Sequence, residues 1–137
     1  MKVLFLATYG DFLATFEYSN ITLWQELGVE VYCASNFSNK QYNLKTERLD
    51  KIGVKRHEIA FTRNPFDIGN IRSYKELIKL IRNESIDIID FHNAVVGVFA
   101  RMAAAYCGSM NPEFKPELAT RNSGRPRKPM MSWATRR

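Results

Sequence analysis

A chain of 137 residues, 45% hydrophobic and 25% charged, has the size and balance of one soluble globular domain, which excludes fibrous and wholly disordered classes. Its formal charge of +6 is unevenly placed: residues 1–107 carry 13 Lys and Arg against 12 Asp and Glu, and residues 108–137 carry 7 against 2. The basicity therefore belongs to a tail, and the near-neutral remainder carries no electrostatic footprint for nucleic acid.

Val3–Ala7 is a continuous apolar run, the pattern of a strand buried on both faces, and Asp11 follows too soon for the run to be a signal-peptide core. Phe12–Leu27 predicts a helix, with Phe16, Ile21, Trp24 and Leu27 at near-helical spacing and Gly28 just past its end. Glu30–Ser35 predicts a second strand. Asn43–Ile52 predicts a short charged helix that turns Leu49 and Ile52 inward and closes at Gly53. Val54–Ile59 is polar enough to be an edge strand, and His57 on it reads as a surface residue. Pro65 and Gly69 then break the chain. Asn70 is expected to cap an amphipathic helix with Ile71, Tyr74, Leu77, Ile78 and Ile81 on one face. Asp87–Phe91 is the fourth strand, and Val95–Tyr106 the fourth helix, in which Gly97, Ala100, Ala103 and Ala104 allow close packing. Arg101 interrupts the longest apolar stretch, so no membrane span is expected. After Cys107 come four of the five prolines and no apolar period, so residues 108–137 are expected to form a disordered, basic Pro/Arg-rich tail.

Four strand–helix units in succession predict an α/β fold: a Rossmann-like, doubly wound parallel sheet in three layers. In such sheets the first and fourth strands are neighbours, and ligands bind at their carboxyl ends. Those ends are Thr8, Tyr9, Gly10 and Asp11 on one side and His92 and Asn93 on the other. Two readings of His92 stand together, a side chain facing the cleft and a satisfied histidine bonded to a loop carbonyl. Arg63 sits on a short loop at the same edge, where a guanidinium can clamp a phosphate or a sugar hydroxyl; the alternative is an arginine bonded to loop carbonyls. The first loop lacks a GxGxxG fingerprint, there is no P-loop, and no His/Cys cluster has metal-ligand spacing, so no cofactor and no metal are expected. Cys33 and Cys107, without CxxC spacing, read as reduced thiols and imply a cytoplasmic setting.

The stretches MKVLFLATYGDFLATF, VYCASNFSN, FTRNPFDIGNIRSYKELIKLI and IDIIDFHNAVVGVFARMAA resemble, in order, the N-terminal domain of family 4-type glycosyltransferases, the bacterial exopolysaccharide and capsule enzymes of the GT-B fold. The resemblance covers Met1 to about Ala105. It implies an acceptor-side domain, residues 1–107, that works opposite a second domain holding a nucleotide-sugar, at the inner face of the cell membrane on a lipid-linked sugar acceptor. By resemblance Gly10 lies in the family's glycine-bearing first loop, and His92 matches the second histidine of an H-x-H pattern whose first position is Asp90 here. The family's fifth strand and its donor domain have no counterpart in the tail, so the chain is expected to be a truncated, inactive half.

The alternative is a non-catalytic acceptor-binding subunit that completes a separate donor-domain partner. A third class rests on SGRPRKP in the tail, which resembles the GRP core of an AT-hook with Ser123 in place of the preceding arginine. Basic tails are commonly only solvated, and no nucleic-acid partner is expected.

Overall fold

In this computed structural model, which describes residues 1–39, 44–111 and 116–120, the chain alternates strand and helix from its second residue onward. Strand β1 (Lys2–Tyr9) runs directly into helix α1 (Gly10–Phe16), followed by α2 (Tyr18–Glu26), β2 (Glu30–Asn36), α3 (Glu47–Lys51) and β3 (Lys55–Glu58). The second half holds α4 (Gly69–Glu84), β4 (Ile88–Phe91), α5 (Ala94–Met110) and β5 (Glu117–Thr120). Among the described residues the sheet has five strands in the order β3-β2-β1-β4-β5, every pair parallel. This is the expected Rossmann-like, doubly wound fold, with β1 at the centre and the chain reversing direction between β1 and β4.

Period-two alternation divides β1 between two cores. Leu4 and Leu6 join Tyr32, Leu77, Ile81, Val96, Ala100 and Ala103 beneath α4 and α5. Val3, Phe5 and Ala7 join Leu13, Ala14, Ile21, Cys33 and Leu49 beneath α1, α2 and α3. A strand buried on both faces must be apolar at every position, which is why Val3–Ala7 has no polar residue. The register pairs Phe5 with Asp90 across the β1–β4 ladder and with Cys33 across β1–β2.

Four sequence expectations need correction. The single helix expected over Phe12–Leu27 is two, separated at Glu17 (φ −103°, ψ −1°). Phe16 and Leu27 point outward, 64% and 53% exposed, while Leu13, Ala14 and Ile21 enter the core. Asn70 does not cap α4, which starts one residue earlier. Its buried side chain turns back, accepting from the Thr62 N–H (2.9 Å) and donating to the Asn64 carbonyl (2.9 Å). Ile71, expected on the apolar face of that helix, is 56% exposed. Finally, the tail is not structureless from residue 108. Helix α5 runs on to Met110, and β5 adds a fifth parallel strand beside β4, with the Glu117 N–H donating to the Asp87 carbonyl at 2.9 Å. The strand ELAT is short and half polar, and ladder hydrogen bonds to β4 hold it, so it leaves no hydrophobic period to detect. The rest of the tail expectation, including the AT-hook-like segment, lies outside the described residues.

Candidate functional site

At the carboxyl edge the chain gives β1 no loop: Tyr9 caps α1 in an extended conformation (φ −123°, ψ 141°) and Gly10 is already its first residue, buried. Gly10 thus stands at a strand-to-helix junction and not in a loop. The neighbouring edge of β4 ends at His92, whose N–H donates to the Leu6 carbonyl at 3.0 Å, extending the ladder by one residue. Asn93 then opens α5. Its side-chain oxygen accepts from the Val96 N–H at 3.0 Å, and its amide nitrogen donates to the Thr8 hydroxyl, so one side chain both caps the helix and ties it to β1. Asp11 is similarly committed, its two carboxylate oxygens accepting from the N–H groups of Leu44 (2.9 Å) and Lys45 (2.8 Å). That contact anchors the segment leading into α3.

Arg63 is brought to the same edge. Its guanidinium lies over the Tyr9 ring at 5.5 Å, and the residue is exposed. The loop carrying it is built from Asx turns, with Asn64 accepting from the Phe66 N–H (3.0 Å) and Asp67 from the Gly69 N–H (2.8 Å). The same loop leaves Phe66 and Ile68 90% and 81% exposed.

His92 is set behind this surface. It is 8% exposed, its ring tilted against Phe12 (5.1 Å) and parallel to Phe5 (6.4 Å). The imidazole packs on Phe12, and its Nε2 faces two carboxylates, Asp90 Oδ1 at 3.3 Å and Glu17 Oε2 at 3.9 Å. Glu17 is fully buried, and the Asn20 amide donates to the same oxygen at 2.8 Å. The sequence shows no His/Cys cluster at metal-ligand spacing, yet these three residues bring their ligand atoms within 4.8 Å of one another. The missed signal was a charge on a buried stripe. Leu13, Glu17 and Ile21 recur at a spacing of four, all fully buried, so the glutamate occupies a core-facing position.

The structure therefore gathers Tyr9, Gly10, Asp11, His92, Asn93 and Arg63 at one edge and divides them. Arg63 and Tyr9 form an outward surface. Asp11 accepts from backbone N–H groups, Asn93 divides its polar atoms between the Val96 N–H and the Thr8 hydroxyl, and His92 faces Glu17 and Asp90.

Comparison with known proteins agrees with this architecture. The chain matches the family described as "Glycosyl transferase 4-like" over residues 2–112. It is 33% identical over 103 residues to the "Putative glycosyltransferase EpsD" of Bacillus subtilis (strain 168), an overlap of 75% of this chain and 25% of that protein. In fold it resembles a glycosyltransferase from Rickettsia africae ESF-5, with a TM-score of 0.65 at 14% identity over 98% of this chain and 32% of that one. Acinetobacter baumannii MurG gives 0.62 at 11% identity over 98% and 38%. The N,N'-diacetylchitobiose deacetylase of Pyrococcus horikoshii gives 0.57 at 19% over 82% and 52%, a reminder that this fold hosts unrelated chemistries. The chain thus spans a quarter of the length of the curated relative and about a third of the two glycosyltransferase structures. The family match takes in every element from β1 through α5, and on that match this chain belongs to the glycosyl transferase 4-like family, as an N-terminal Rossmann-like domain of the GT-B type.

Proposed function

We propose that this domain receives the acceptor in a sugar transfer from a nucleotide-sugar to a lipid-linked saccharide at a membrane surface. The observation that carries this reading is the Arg63 guanidinium laid over Tyr9 at the β1–β4 edge, with Phe66 and Ile68 exposed on the same loop. A planar, permanently charged fork suits the phosphate of a lipid-linked sugar, and an exposed aromatic–aliphatic pair suits the boundary between headgroups and acyl chains. Among the described residues no helix is long and apolar enough to cross a membrane, so contact would be made by lying on the surface. Tyr9 and Arg63 would touch the acceptor, and Gly10, Asp11, His92 and Asn93 would hold the edge in shape. Contacts to the nucleotide belong to the family's other domain. Whether that domain lies on the same polypeptide or on a partner subunit does not alter the assignment.

Flotation of the full chain with phosphatidylethanolamine–phosphatidylglycerol vesicles, with and without a diphosphate-linked lipid sugar, tests this. The chain should float preferentially with the loaded vesicles. Arg63→Ala should weaken binding about tenfold, as for loss of one charge-assisted pair, with the melting temperature unchanged. Equal flotation with both vesicles, or micromolar binding of UDP- or GDP-sugars by calorimetry, would overturn the acceptor-side reading.

A further inference from the structure

The grouping of Glu17, Asp90 and His92 is unexplained by acceptor binding. We propose that Glu17, Asp90 and His92 form a site for one divalent transition-metal ion that fastens the α1–α2 junction to the end of β4. Donor set and geometry carry this site, independently of acceptor binding. Two carboxylates and an imidazole form a mixed N/O set that suits Zn²⁺ or Mn²⁺ better than an all-oxygen ion such as Mg²⁺. A tetrahedral ion with bonds near 2.0–2.1 Å holds its donors about 3.4 Å apart. The His92–Asp90 separation of 3.3 Å already meets that, the His92–Glu17 separation is 3.9 Å, and all three donor atoms lie within 4.8 Å of one another, so closing on an ion draws the Glu17 carboxylate inward.

The surroundings are built as ligand supports are. Asn20 donates to Glu17 Oε2 and fixes that carboxylate, and Phe5 and Phe12 hold the imidazole plane. Asp90, whose side chain is 16% exposed, is the least buried of the three. The three donors come from the α1–α2 junction, from inside β4 and from its end, so the ion would be a cross-brace under the acceptor edge.

Equilibrium dialysis of the full chain against zinc chloride, with magnesium chloride as control, should give one zinc per chain and no retained magnesium. Glu17→Gln and Asp90→Asn, which preserve shape and remove charge, should each lower zinc affinity at least tenfold. Cobalt(II) loading of the unaltered chain guards against variants that do not fold. Its absorption spectrum should show oxygen and nitrogen ligation without a thiolate charge-transfer band. No bound zinc, zinc retained by both folded variants, or a thiolate band pointing to Cys33 or Cys107 would overturn the site.

Discussion

Asn93 is the residue on which the β1–β4 edge turns. Its backbone, at φ 86° and ψ 161°, lies in a region that is almost exclusively glycine's, and its side chain holds both the Val96 N–H and the Thr8 hydroxyl. The two demands separate by mutation. Asn93→Ala loses the cap and keeps the strain, and should cost about 2–3 kcal/mol in urea unfolding. Asn93→Gly loses the cap but relieves the backbone, and should cost measurably less. Equal costs would mean the strain is negligible. Cys33 makes a second residue-scale case. It is fully buried in the centre of β2, and burial drives its thiol well above the ordinary value of 9.0, with Arg56 opposing only weakly. A raised folded value means the protonated thiol is the favoured form, so its contribution to stability is intact below about pH 9 and falls as pH rises beyond that. At neutral pH the native protein should therefore leave Cys33 unalkylated by iodoacetamide, with reaction appearing only on unfolding.

Among the elements, the junction of β3 with α4 and the contact of α5 with β4 are the most sharply specified. The loop between β3 and α4 hangs on Asn70, 1% exposed, which serves Thr62 and Asn64 at once. Asn70→Ala leaves the Thr62 N–H without this acceptor and should cost about 1–3 kcal/mol while loosening the Arg63 loop, measurable as faster amide exchange at Thr62. On α5, a Cβ at Gly97 would meet the Phe91 ring at 2.8 Å. Alanine normally gains about 1 kcal/mol over glycine inside a helix, yet here overpacking of 1–3 kcal/mol works against it. Gly97→Ala should therefore lower the melting temperature, opposite to the helix-propensity expectation.

At the scale of the molecule, two cores meet at a sheet whose centre and edge differ in weight. Leu4, fully buried at the middle of β1, should cost about 2–5 kcal/mol when cut to alanine, because its cavity is walled by both neighbouring strands and by the α4–α5 layer. Leu118 on the outermost strand is 37% exposed, and Leu118→Ala should stay within about 1 kcal/mol. Chemical denaturation of the pair tests whether β5 is an adjunct to the domain or part of its cooperative core, since a large Leu118 effect would place it in the core.

The order of strand and helix was already present in the amino-acid sequence, because each element buries one face or both and must repeat its apolar residues accordingly. Val3–Ala7, the stripe through Leu77 and Ile81, and the small residues of α5 all declare themselves locally, and with them the Rossmann-like sheet and the meeting of β1 and β4 at one edge. The same reasoning brought Arg63 and Tyr9 to that edge. Local periodicity does not register partners distant in the chain. Glu17 looks like a helix residue until the fold sets it against His92, and Asn70 looks like a cap until the preceding loop is packed on it. Strand β5 exists because β4 offers it a ladder, not because its own residues demand one. Tertiary structure decided these features, since each is paid in hydrogen bonds and charge contacts between segments that no window of neighbouring residues contains.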